Sequence, residues 1–452
     1  METIIAQIAE EFIKKIIKAF TERKNSFAEL EKIAFTESKN CSAKLLGAYA
    51  AAIDEEIRKD RQGRREMGCT VQRRGDERQI QTLVGEVTYH RTYYKKASGG
   101  YEYLTDTTLG VGNRKRLSDG LTLALVTAAK EMSYANSSQY ISNGEVSRQT
   151  VMNKVRDSYA EEAFVEAKKQ VKNLHIDADE AHVTMYQGRK SIVPLISVYE
   201  GVEHNGKRRS CKNVFHISEY GKGTGELWEQ VLSEIEKRYD LTDTKIYLHG
   251  DGGGWIQKGM EWLPNAKFVL DKYHKNKAIK QMTAGLEKRV NKLYDREIRE
   301  ALENKDIRYF EELSESLCHQ LPERREKIVS AGKYLKQFAD GIAICKTDLE
   351  SNNGGSTEPH VSHVLAARLS TRPMAWSKRT LTQLAPILAG GRIALRNEAT
   401  EKETPRPLLK AAARASKAFS RGKAGLPVPE AIGRLSLSGK ICGTQKILHI
   451  FA

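Results

Sequence analysis

The chain has 452 residues, with 74 Lys and Arg against 58 Asp and Glu and a formal net charge of +16. Such a length asks for roughly two to four folding units with proper cores, and the cationic excess favours a polyanionic partner such as nucleic acid, although a basic enzyme would carry it too. Six cysteines (Cys41, Cys69, Cys211, Cys318, Cys345, Cys442) include no Cys-x-x-Cys pair, which argues against a zinc ribbon or disulfide framework and for reduced thiols.

The opening "METIIAQIAEEFIKKIIKAF" reads as an amphipathic helix with acids inside it, not as a signal peptide. No apolar run approaches membrane-spanning length, so a cytoplasmic protein without a membrane partner is expected. Residues 1–66 keep helical periodicity as an N-terminal helical region, closing in the basic "RKDRQGRREMG". Residues 67–115 hold "RQIQTLVGEVTYHRTYYKK", whose alternation around Gly85 predicts a small antiparallel hairpin. Its Arg78, His90, Arg91, Tyr93, Tyr94, Lys95 and Lys96 mix cations with aromatics, which suits nucleic acid but also an ordinary solvated hairpin. Residues 116–170 read helix, polar turn, helix, with Ser147 capping "RQTVMNKV" and Arg148, Gln149, Asn153 and Lys154 facing outward. This is a helix-turn-helix-like DNA-binding region, whose second helix would enter a major groove; any packed helix pair is the plain alternative.

From Leu174 three stretches, "LHIDADEAHVTMY", "SIVPLISVYEG" and "RSCKNVFHISEYG", read as successive strands of a meander. A helix, the strand "KIYLHGD", the helix "WIQKGMEWL" and the strand "KFVLDKYH" complete an α/β core with a mixed sheet over 171–274. Residues 275–350 carry no strand signal and form a helical insertion. Residues 351–395 resume the core with "STEPHVSHVLAARLS", and 396–452 make a basic tail.

Four acids stand out on this layout. Asp177 and Asp179 lie on the first strand, Asp251 ends the fourth, and Glu358 opens the helix after the insertion. First and fourth strands can lie side by side. Carboxylates crowded there raise one another's pKa, and hard divalent cations relieve the crowding. Two ions about 4 Å apart clamp the oxygens of a phosphoryl displacement. Gly252, Gly253 and Gly254 then leave room beside Asp251 for an approaching backbone. Asp177 and Asp179 share a strand face; spacing to the following apolar residues favours Asp179, with Asp177 as the alternative first acid. Pro359 disfavours helical geometry at Glu358 and puts it at the helix cap, where capping alone would also explain it. Asp348 and Glu350, on the loop before, are weaker substitutes.

The Asp on the first strand, "GDGGGWI", "LPNAKFVLDKYH", the helical insertion and the acidic helix start resemble the DDE transposases of bacterial insertion sequences, in particular the Mutator-like class. Within that class the chain is similar to a Gram-positive family long catalogued as uncharacterised proteins. The resemblance covers about 170–390. It implies a ribonuclease-H-like catalytic core with an all-helical insertion, preceded by the helical and small β DNA-binding region. It also implies a catalytic and metal-binding triad of Asp179, Asp251 and Glu358 with two Mg²⁺ or Mn²⁺ ions. "LDKYH" resembles the class's Asp-or-Cys, two residues, His signature, which gives Asp271 and His274 a role supporting the site or DNA. His182 and Arg368 are further candidates for such support. The partners would be the element's terminal inverted repeats and target DNA, bound by at least a dimer in the nucleoid. Two rivals remain at this point. His175, His182, His249, His274, His360 and His363 lie among the same acids and suit a His/Asp metallohydrolase acting on phosphoesters. A non-catalytic helix-turn-helix DNA-binding protein explains the charge but leaves the acids unused.

Overall fold

The computed structural model describes residues 2–22, 25–161, 165, 167–206, 208–355, 357–371, 374–395 and 404–421. Residues 422–452 of the basic tail, with Cys442, lie outside these. The fold is mixed α/β, mostly helical with several small sheets. The chain divides into two compact units, Met1–Lys154 with Leu395–Ala452, and Val155–Ala394.

In the first unit the long helix Phe27–Lys59 starts on a reciprocal cap. The Glu29 amide donates to Ser26 Oγ, and the Ser26 amide donates to the Glu29 carboxylate at 2.7 Å. Its middle lies against the hairpin Cys69–Thr82/Gly85–Lys96, close enough that a Cβ at Gly47 would stand 2.6 Å from the Thr88 carbonyl oxygen. Buried Asp54 ties helix to hairpin by accepting from the Thr92 amide and from Thr92 Oγ1, each at 2.7 Å, and it also accepts from Thr105 Oγ1 at 2.6 Å on the helix Leu104–Thr108. The hairpin turns at Gly85, φ +106, as its alternation requires. That same alternation removes part of the expected nucleic-acid surface. Val87, Tyr89 and Arg91 face inward and are buried, with Arg91 ion-paired to Asp106, and Tyr94 is fully buried as well. Arg78 spends its guanidinium on the carbonyls of Gly112 and Lys115. His90 and Lys95 stay exposed.

Helices Asp119–Glu131, Tyr134–Ser142 and Arg148–Asp157 follow. The second ends on left-handed Asn143, φ 51, and Ser147 caps the third by accepting from the Thr150 amide at 3.1 Å. Arg148, Gln149 and Asn153 are exposed and Lys154 is half-buried.

The second unit is built on a five-stranded sheet. Its strands in chain order are Asn173–Thr184, Lys190–Tyr199, Phe215–Ile217, Lys245–Gly250 and Ala266–Leu270. In space they run third, second, first, fourth, fifth. The first three form an antiparallel meander, and the fourth and fifth run parallel to the first. The third stretch differs from expectation. Arg208–Cys211 folds back on Val202–Asn205, a turn at left-handed Asn213 (φ 51) follows, and only Phe215–Ile217 joins the sheet. One face of the sheet carries Leu174, Ile176, Val198 and Leu248, packed on Trp228, Val231 and Ile235 of helix Thr224–Arg238. After the fifth strand come five helices between Lys272 and Thr347. Ile279, Ile298, Leu302, Phe310, Leu317, Ile328 and Leu335 give them a core of their own, which also takes in Leu270.

Candidate functional site

The sheet's other face is polar and just as deep. Strand alternation puts His175, Asp177 and Asp179 on it from the first strand, Tyr247 and His249 from the fourth, and Ser197 and Tyr199 from the second. His175, Asp177, Ser197, Tyr199, Tyr247 and His249 are each at most 2 % exposed. Each has a partner. Tyr199 Oη donates to Asp177 Oδ1 at 2.9 Å, Tyr247 Oη donates to Asp348 Oδ2 at 2.8 Å, and His175 Nδ1 lies 3.2 Å from His249 Nε2. Ser197 Oγ lies 2.8 Å from His216 Nδ1 on the third strand. Burial holds these imidazoles neutral, pushing His175 and His216 down to about 4.

Gly354 and Gly355 lie on this layer. The Gly355 amide donates to Asp177 Oδ1 (3.2 Å) and Tyr199 Oη (3.1 Å). A Cβ at Gly354 would come 2.2 Å from His249 Nε2 and 2.8 Å from His175 Nδ1. The helix Thr357–Val361 follows, so Glu358 sits inside the first turn and not at the cap. Pro359 is compatible with that because first-turn amides have no intrahelical acceptor to lose. The Glu358 side chain lies outside the described residues.

Two positions beyond the Asp177–His249 pair come Asp179 and Asp251, on neighbouring parallel strands. Asp179 is half-buried and its Oδ1 accepts from the Glu180 amide at 2.8 Å. Asp251 Oδ1 accepts from the Gly253 amide at 2.8 Å. The insertion braces this turn: Tyr334 Oη donates to the Asp251 carbonyl at 2.7 Å, and Phe338 covers Gly252. The space beside Gly252 (φ +85) is therefore filled from within, since a Cβ there would stand 2.1 Å from Phe338 Cζ. Of the three glycines expected to leave room beside Asp251, Gly252 is thus covered, whereas a Cβ at Gly254 would meet nothing within 4 Å.

Asp271 follows the fifth strand and caps the helix Lys272–Thr283; its amide donates to the Gly250 carbonyl at 2.9 Å. Asp271 Oδ2 accepts from the amides of Tyr273 and His274 and lies 3.2 Å from His274 Nδ1. That bond to Asp271 raises the His274 pKa against the opposing effect of burial, and the charges of Asp251 and Asp179 add to the rise. Asp179, Asp251, Asp271 and His274 thus meet at one end of the sheet.

Other candidates stand elsewhere. His182 is exposed on the opposite side of the first strand from Asp179. Arg368, expected at phosphate, is 6 % exposed, with its guanidinium 4.9 Å over the Trp376 ring and donating to Met374 Sδ at 3.3 Å; it is packed inside, away from an approaching strand. Arg148, Gln149, Asn153 and Lys154 belong to the other unit. Sequence reasoning missed Tyr334, Phe338 and Tyr199. Only the Gly354–Gly355 pair left a local signal of close approach.

Among the described residues no group of three or more His, Cys, Asp or Glu is disposed to hold a metal ion. The donor chemistry of the two acids nonetheless fits a hard cation, because Asp179 and Asp251 offer carboxylate oxygen only. Asp251 Oδ2 has no hydrogen-bond partner among the described residues. No helix among them is long and apolar enough to cross a membrane.

An antiparallel meander continued by parallel strands, with acids gathered at one sheet end and a helical insertion behind them, defines the kind of protein this is in structural terms. Residues 20–401 match the family described as Uncharacterised protein family (UPF0236), and the chain belongs to it. A UPF0236 protein of Caldanaerobacter subterraneus subsp. tengcongensis is 34% identical over 391 residues, covering 85% of this chain and 83% of the relative. Another from the same organism is 34% identical over 392 residues, with 85% and 83% covered, and its name joins eleven locus designations. A UPF0236 protein in the vanSb 3′ region of Streptococcus gallolyticus is 22% identical over 407 residues, with 86% of each chain covered.

Proposed function

We propose that the protein is a DNA transposase of the DDE type, built on a ribonuclease-H-like core. The observation that carries the reading is that Asp251, just past the fourth strand, follows the adjacent parallel first strand at the level of Asp179, two residues beyond the Asp177–His249 pair, with the Glu358 helix entering after an all-helical insertion. The frame supports it: the first strand is central and the fourth lies beside it. So does the relative whose name joins eleven loci, since many copies of one protein in one genome are what a mobile element leaves.

The reaction is hydrolysis of a phosphodiester at an element end, freeing a 3′-hydroxyl, then attack of that hydroxyl on target DNA by direct transesterification. Mg²⁺ or Mn²⁺, when bound, supplies charge neutralisation and water activation. Asp179, Asp251 and Glu358 would hold it. The Gly253 amide orients one Asp251 oxygen, and Tyr334 fixes the turn behind it. Asp271 and His274 stand beside Asp179 and Asp251, whose charges favour the protonated form of His274. Arg148, Gln149, Asn153 and Lys154 would read the element ends, and joining two ends requires at least a dimer. The buried histidines support the metallohydrolase less, because they bond to one another and to Ser197 instead of grouping as ligands.

The test is Asp251→Asn in the full chain. Nicking of end DNA in Mg²⁺ should fall by on the order of 10³ or more. End binding in chelator should hold or strengthen, since a charge that repels phosphate has gone. Loss of binding together with nicking, or near-normal nicking, overturns the assignment.

A further inference from the structure

We infer that Asp177 is a positioning residue: it pins the Gly354–Gly355 turn to the first strand and so sets where the helix bearing Glu358 meets the acidic strand ends. The inference rests on the transposase reading for its consequence, and on hydrogen-bond geometry for its mechanism.

A carboxylate only 2 % exposed is costly to bury unless its oxygens are matched. Asp177 Oδ1 accepts from Tyr199 Oη (2.9 Å) and from the Gly355 amide (3.2 Å), and that amide also lies 3.1 Å from Tyr199 Oη. Three groups from two strands and the incoming turn therefore close on one another. Gly354 is held from below, with no room for even a methyl group above His249 and His175. On the far side of Glu358, His360 Nε2 comes within 3.9 Å of Asp177 Oδ2, and Val361 is buried. The backbone is thus tied to the first strand by an amide hydrogen bond three residues before Glu358, and two residues after it the His360 side chain lies beside the same carboxylate.

The arrangement also separates the two acids of the first strand. Asp177 faces the turn, whereas Asp179 stands one pleat nearer the end where Asp251, Asp271 and His274 gather. A pleat of two residues moves a side chain by roughly 6.5 Å along the strand. The upper acid would bind the cation, and the lower one would aim its third ligand. Preorganisation of this kind acts on the ligand's position and leaves its chemistry alone.

The test compares Asp177→Asn, Asp177→Ala and Tyr199→Phe with Asp179→Asn in the full chain. The first measurement is metal-free amide hydrogen exchange. Peptides spanning 349–363 should exchange about tenfold faster in Asp177→Ala and somewhat faster in Tyr199→Phe, with 245–251 unchanged. Asp177→Asn should stay near wild type, because its Oδ1 still accepts from Gly355. The second is nicking of end DNA against Mg²⁺ concentration. Asp177→Ala should need about tenfold more Mg²⁺ for half-maximal rate, with Asp177→Asn rescuing it, while Asp179→Asn loses about 10³ at every concentration. Unchanged exchange in Tyr199→Phe and Asp177→Ala overturns the anchor. Asp177→Asn as inactive as Asp179→Asn overturns the positioning role and makes Asp177 a ligand. Should Asp177→Ala not fold, Tyr199→Phe and Asp177→Asn decide on both measurements. Wild-type protein that shows the exchange pattern but never nicks DNA overturns the transposase reading and leaves the anchor standing.

Discussion

On one face of the five-stranded sheet Leu174, Ile176, Val198 and Leu248 meet an apolar helix face. On the other His175, Asp177, Tyr199 and His249 lie equally deep, and every polar group there finds a partner. The same strands supply both faces, residue by alternate residue. The apolar face gains stability roughly in proportion to area removed from water, whatever the detailed fit. The polar face gains little net stability, but its hydrogen bonds have direction, and an unmatched group there is costly. The first face holds the sheet together. The second decides where a particular turn of chain must sit.

Substitutions can set the two faces against each other. The largest effect belongs to the apolar face: Leu248→Ala should lose about 3 kcal/mol, read as the urea midpoint, with hydrogen exchange near Gly355 unchanged in rank. A loss under about 1 kcal/mol would mean that the carbon face is poorly packed. Next is Gly354→Ala, which forces a methyl group into His249 and should cost about 1–3 kcal/mol while leaving helix Thr224–Arg238 as protected as before. If that variant is neutral, the polar layer yields, and the lock described above does not exist.

Acid sharpens the contrast further. His175 and His216 are pushed down to about 4 by burial, whereas in the unfolded chain they titrate near the ordinary value of 6.5. Above 6.5 neither state binds a proton there. As pH falls from 6.5 towards 4 the unfolded chain takes up protons that the folded chain refuses, so stability is lost across that window. The loss should be on the order of 1 kcal/mol per histidine between pH 7 and 5. Thermal midpoints at the two pH values measure it, and Leu248→Ala should show the same difference as wild type. A flat profile would mean that the histidines are already hydrated. The smallest effect is Tyr247→Phe, about 1 kcal/mol, because Asp348 keeps Lys267 at 3.1 Å after losing the phenol. A loss above about 3 kcal/mol would show that Asp348 depends on that hydroxyl.

Much of this architecture was readable from periodicity. "LHIDADEAHVT" alternates, so the strand and its two faces follow, and "KIYLHGD" beside it places Asp251 near Asp179. The helical insertion was legible because it lacks β-branched alternation. Contacts made at long range were not. Nothing local to Gly252 announces Phe338, and nothing near Arg368 says that Trp376 will cover it. The break before Phe215 depends on left-handed Asn213, one residue in an otherwise strand-like run. Asp177 and Asp179 look equivalent in the sequence because the pleat treats them alike; only the turn arriving from Gly355 tells them apart.

Asp251 receives its brace from Tyr334, 83 residues further along the chain. A ribosome adding about 5–20 residues per second reaches that tyrosine roughly 4–17 s after it has made the aspartate. Until then the acidic turn lacks its support, and the five helices that carry it must also close their own core. The first unit waits longer still, because Leu408, Ala411 and Ala415 of its core come later in the chain than Tyr334. Maturation of the site waits on residues made well after its acids, a delay written into the order of the elements.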